Sequence, residues 1–200
     1  FEDSLDEMEI DRFVSAVLQL SDEYGGYFNK LLFGDKGAVI LILFGAPQTH
    51  ENDCERNADF ILALRERELH IPWKAGSSFG TVYAGLVGGG ERCEYTAIGD
   101  VVNLAARIAQ QEDWGEFRMS EALAERLLAT HELDLVDTFS FKGKQAPLPV
   151  YRLNHRKSQT ELTFYTGLMV GRSKELEKLQ DWMPPVMRGC FAGVMYIHGD

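Results

Sequence analysis

The sequence predicts an α+β sandwich, with helices packed against one mainly antiparallel sheet. Three observations predict it. Apolar residues recur at helical spacing over residues 5–24, at 5, 8, 13, 17, 20 and 24. Apolar strand-like runs then alternate with further helical stretches, but without the strict βαβ order of a parallel sheet. Finally, glycine-flanked turns such as Gly34-Asp35-Lys36-Gly37 join successive runs as hairpins.

Each element has its own signal. Asp and Glu crowd the first turns of the opening helix, where the helix dipole favours them, and Gly25-Gly26 stops it. Residues 27–33 and 38–44 are strands, and the second, AVILILF, lacks alternation and is expected to be buried on both faces. Thr49 or Asn52 caps a helix running to about Arg67, with Phe60, Ile61, Leu62 and Leu64 mostly inward. Residues 73–87 read as a long strand region interrupted at Gly80 and Gly85. Residues 94–98 form a strand hairpinned to it, and residues 100–111 form a helix. Then come a brief strand at 117–119, a helix from Ser120 through Leu128, and strands at 133–139 and 149–153 that close the sheet.

Composition sets the outer limits. The 200 residues are 45% hydrophobic and 26% charged, enough for one full α/β domain and part of a second element. A formal charge of −11 argues against a nucleic-acid surface, yet leaves room for a local basic pocket. Cys54, Cys93 and Cys190 are odd in number, widely spaced and in no metal-ligand pattern, which points to a reducing, cytoplasmic setting. The longest apolar run, residues 38–44, falls far short of the ~20 residues a membrane span needs. No signal peptide is visible, and a chain running from Phe1 to Asp200 reads as an excised fragment.

The informative stretch is YAGLVGGGERCEYTAIGDVVNLAAR, residues 83–107. Its helix carries Asn103 and Arg107 in an i,i+4 relation, so an amide and a guanidinium project from one face. Beside a strand ending in Tyr95-Thr96, that pair makes a site for an anionic ligand.

This stretch, EYTAIGDVVNLAAR preceded by GxVxxGxVGGGxR, resembles the signature of class III nucleotidyl cyclases. GGYFNK at 25–30, FGAP at 44–47, and Phe141-Lys142-Gly143-Lys144 with the following PVYRL fit the same family in the same order. The resemblance covers most of residues 8–153. It implies a ferredoxin-like βααββαβ unit that works in pairs, with active sites at the dimer interface. One half of such a pair supplies two metal-binding aspartates, and the other reads the base and stabilises the transition state. In the reaction the ribose 3′-hydroxyl attacks the α-phosphorus and expels pyrophosphate.

Carried onto this chain, the resemblance makes Asn103 the residue that orients the ribose. Arg107 becomes the residue that meets the developing phosphorane charge. Lys30 and Thr96 fall at the base-reading positions, in the combination that goes with adenine, and Lys142 falls at the triphosphate position. No metal ligand is assigned. Family spacing lands on Gly34 and Ala38 rather than Asp35, so Asp35 reads as a turn residue, and Asp3 is too close to Gly25-Gly26 to be the other aspartate. The expected first strand is missing. The implied role is therefore the second, metal-free half of a soluble adenylyl cyclase. Its partner is a metal-binding half upstream in the same chain, which binds Mg or Mn with ATP.

The expected organisation is a cyclase homology domain over residues 1–154 and a polar linker over 155–166. Residues 167–200 then begin an α/β P-loop-type region of the AAA/STAND kind, with a helix from Gly171-Arg172-Ser173 to about Trp182, ended by Pro184-Pro185, and a strand at 193–198. The competing reading is a catalytically inactive nucleotide- or effector-binding sensor that regulates this attached NTPase.

Overall fold

A computed structural model of the chain describes residues 7–34, 37–89, 92–111, 113–140, 146–158, 173–187 and 191. Several expected features lie outside these residues: Asp35, Lys142 and its flanking Phe141 to Lys144, Gly90, Cys190 and the strand at 193–198. By packing the chain divides into two compact units, Phe1–Leu162 and Thr163–Asp200.

The first unit opens with α1 (Glu7–Tyr24), whose Val17 and Leu20 are buried as the helical spacing requires. Next come the antiparallel hairpin β1 (Tyr27–Gly34) and β2 (Gly37–Leu43), and then α2 (Asp53–Arg65). β3 (Ala75–Ser77) precedes a second antiparallel hairpin, β4 (Tyr83–Gly89) with β5 (Arg92–Ile98). The order continues with α3 (Asp100–Gln110), β6 (Phe117–Ser120), α4 (Glu121–Leu127), β7 (His131–Phe139) and β8 (Leu148–Arg156). In the second unit the described element is α5 (Ser173–Met187).

The backbone ladders form three sheets rather than the single one expected. Among the described residues the β1–β2 and β4–β5 hairpins each pair only within themselves. The third sheet has the order β3-β6-β8-β7, with β3 parallel to β6 and the other pairs antiparallel. Successive strand residues point to opposite faces, so this sheet can be covered on both sides. On one face Phe117, Met119 and Leu153 join Val17 and Leu20 of α1, Phe60, Ile61 and Leu64 of α2, and Leu123 and Leu127 of α4 in the main core. On the other, Val150 packs with Ile108 and Leu104 of α3. Between the core and the surface, buried His131 meets Asp59 through Nε2 at 3.2 Å, and Asp59 also holds Arg156, tying α2 to β7 and β8.

Four local expectations change. AVILILF is not buried on both faces: Val39 is 57% exposed, because β2 pairs with β1 alone and one side of the hairpin is uncovered. Gly85 does not interrupt its strand but pairs in register with Thr96, whereas the break falls over residues 78–82. The start of α2 is not closed by a Thr49 or Asn52 side chain. Thr49 Oγ1 donates to Gly45 O (3.0 Å), and the Asp53 carboxylate accepts from the His50 backbone N–H (2.8 Å) instead. Pro184 and Pro185 lie inside α5, near its C-terminal end, rather than ending it.

Candidate functional site

The candidate site residues lie on two hairpins and one helix. Pairing of β1 with β2 shifts register between Phe28 and Lys30, which leaves Asn29 as the extra residue of a β-bulge. A bulge re-aims side chains that strict alternation would send to opposite faces. Asn29 and Lys30, though consecutive, both reach β5. Asn29 Nδ2 donates to the Tyr95 carbonyl at 2.6 Å, and Thr96 Oγ1 donates to Asn29 Oδ1 at 3.2 Å. Lys30 Nζ lies 2.9 Å from Glu94 Oε1. The Tyr27 ring meets Tyr95 edge-on, with centroids 5.4 Å apart. Side chains, rather than a backbone ladder, therefore join the two hairpins here.

Thr96 is nearly buried, at 8% exposure, while Lys30 and Glu94 remain partly open to solvent. Glu94 and Thr96 share a face of β5 by the two-residue period, which is why one strand can hold both neighbours of the bulge. The lysine ammonium keeps further N–H donors beyond the one spent on Glu94.

From Ile98 the chain turns through Gly99 directly into α3. Asn103 is exposed on this helix and Arg107 is half-buried one turn later on the same face. The helix seat is set by Gly76 on β3. A Cβ there would come within 2.3 Å of the Ala105 carbonyl oxygen and 2.4 Å of the Ala109 nitrogen. Both are backbone atoms that cannot turn aside, so only glycine lets α3 lie this close to the sheet. Ile108 and Leu104 fix its rotation by packing on Val150, which leaves Asn103 on the open side.

Of the expected site residues, Lys30 and Thr96 are thus brought together through Asn29 and Glu94. Asn103 and Arg107 share the helix that follows Thr96 in the chain, and Lys142 lies outside the described residues. Asn29 and Glu94 are the residues that sequence reasoning missed. Glu94 carried a signal, standing two residues before Thr96 on the same strand face. Asn29 carried none, because alternation places it opposite Lys30 and only the bulge overrides that.

Chemically, the hairpin cluster offers an ammonium, a carboxylate, a hydroxyl and an amide, and α3 carries a further amide and a guanidinium. Such groups can hydrogen-bond a polar ring and pair with an anion. Among the described residues no group of three or more His, Cys, Asp or Glu side chains is placed to hold a metal ion.

The same two hairpins carry a large exposed apolar surface. Phe33 is 71% exposed, Leu86 69% and Tyr83 66%, with Leu32, Val39 and Ile98 also more than half exposed. Clustered exposure of this kind marks an interaction surface. No helix among the described residues is long and apolar enough to cross a membrane.

Comparison with known proteins bears on the family and the fold. The sequence profile of the family described as Adenylate and Guanylate cyclase catalytic domain matches residues 38–155. An adenylate cyclase of Mycobacterium bovis is 28% identical over 143 residues, covering 68% of this chain and 31% of that protein. The chain therefore spans about a third of the length of that relative. The adenylyl cyclase CyaB of P. aeruginosa superimposes with a TM-score of 0.68 at 21% identity, over 78% of this chain and 87% of that one. The guanylate cyclase domain of RhGC from Catenaria anguillulae, solved with GTP, gives 0.66 at 20% identity, over 78% and 88%. At these identities the two structures establish the shared fold.

Proposed function

Since this chain belongs to the adenylate and guanylate cyclase catalytic domain family, we propose that it is the metal-free half of a cyclase pair converting ATP to cyclic AMP and pyrophosphate. The observation that carries the proposal is a coincidence of place. The polar cluster of Lys30, Thr96, Asn29 and Glu94 sits on the two hairpins whose apolar residues are left uncovered. A site that needs a second half should lie beside the surface that receives it.

In this reading Lys30 donates to a ring nitrogen of adenine and Thr96 accepts from the exocyclic amine. Asn103 holds the ribose so that its 3′-hydroxyl faces the α-phosphorus, removing orientational freedom before reaction. Arg107 places its guanidinium where charge accumulates on the phosphoryl oxygens as the new P–O bond forms and pyrophosphate departs. Lys142 meets the triphosphate. The partner half would hold Mg or Mn with ATP, and that ion would supply positive charge to polarise the reacting oxygens. Leu32, Phe33, Val39, Leu86 and Ile98 form the contact surface for that half, which lies upstream in the same protein, and residues 167–200 begin an attached NTPase region.

The test is to combine this chain with the metal-binding half and supply ATP or GTP in turn. The proposal expects cyclic AMP in clear excess over cyclic GMP. Cyclic GMP as the main product would overturn the adenine assignment, and nucleotide binding without either product would favour a sensor.

A further inference from the structure

We propose that Asn29 is a positioning residue that makes the Thr96 hydroxyl a one-way acceptor, and so sets the preference for adenine over guanine; the inference rests on Lys30 and Thr96 being the purine-reading pair. A threonine hydroxyl by itself does not discriminate, because it rotates and can donate or accept. Here its proton is committed. The Asn29 amide is fixed by the Tyr95 carbonyl, which can only accept, so the nitrogen must face Tyr95 at 2.6 Å. Oδ1 is thereby turned to Thr96, at 3.2 Å, and carries no hydrogen. The Thr96 hydroxyl must then donate to Asn29, and only lone pairs remain for a ligand.

The purine edges differ in the matching way. Adenine offers an exocyclic N–H donor beside a ring-nitrogen acceptor, whereas guanine offers a carbonyl acceptor beside a ring N–H donor. Lone pairs at Thr96 fit the adenine amine and oppose the guanine carbonyl. Glu94 works in the same sense by holding Lys30 at 2.9 Å, so that an ammonium donor stands where adenine has its acceptor. The β1 bulge makes this possible, because it lets Asn29 and Lys30 serve the same strand. Burial of Thr96 adds force, since a mismatched polar contact away from water costs more than one in solvent.

The test uses the complete protein, with its metal-binding half, and reads both turnover and displacement of a fluorescent ATP analogue by ATP and GTP. Asn29→Ala frees the hydroxyl to rotate, and the ATP-to-GTP ratio of kcat/KM should fall about five- to tenfold, mainly through improved use of GTP. In a Thr96→Val background, Asn29→Ala should leave the ratio where Thr96→Val alone puts it. A ratio unmoved by Asn29→Ala, or moved equally in the Thr96→Val background, overturns the inference and leaves the cyclase reading standing. Equal handling of ATP and GTP by the unaltered protein overturns it in the same way. Displacement by neither nucleotide overturns the cyclase reading, and this inference with it.

Discussion

The β3-β6-β8-β7 sheet and the two hairpins are built from similar residues and end in opposite states. All four residues of β6 are buried, and Met119 and Leu153 are wholly inaccessible. In β4, by contrast, Tyr83 and Leu86 are about two-thirds exposed. The cause is pairing and cover. β6 has a ladder on each side and helices over both faces, while β4 and β1 each pair only with their own hairpin mate. Stability is therefore concentrated in the sheet, and the uncovered hairpins hold the polar cluster. Gly76 sets how closely the sheet holds α3, the helix that carries Asn103 and Arg107.

The sharpest way to break this contrast is to make similar cuts in each region. Leu153→Ala removes a fully buried side chain from the main core and should cost about 2–5 kcal/mol in urea denaturation. A loss below about 1 kcal/mol would show that the sheet is not the stable part. Arg107→Ala comes next. It should lower turnover of the assembled pair roughly 10²-fold or more, about 2.7 kcal/mol, with little change in the melting temperature. An unchanged rate would remove Arg107 from the chemistry. The smallest effect on folding belongs to Leu86→Ser, within about 0.5 kcal/mol for this chain alone, because the side chain is already in solvent. Its effect should appear instead as weaker association with the metal-binding half, measured by sedimentation. Unaltered association would mean that the exposed face of β4 is not the contact.

Much of this division could be read from the residues. The i,i+4 pair of Asn103 and Arg107 was visible from helical period alone, and Val17, Leu20 and Ile61 were legible as core from their spacing. The family resemblance drew attention to Lys30 and Thr96. Strand burial was legible only in part. AVILILF has the unbroken apolar pattern of an interior strand, yet Val39 is open to solvent. A sequence pattern reports what a residue can bury against, not whether the neighbour belongs to the same chain. Asn29 was illegible for a different reason. Its role depends on a one-residue register shift against β2, and nothing local in YFNKLLFG announces that shift. The Gly76 contact was equally hidden, because it depends on the backbone of a helix some thirty positions later.

The proposed half-site makes product only when a second half completes it. This is tested most directly by cyclic AMP formation from ATP with Mn or Mg, measured for the chain alone and again with the metal-binding half. Negligible product is expected from the chain alone and sustained product from the pair. Robust synthesis by the chain alone would contradict it.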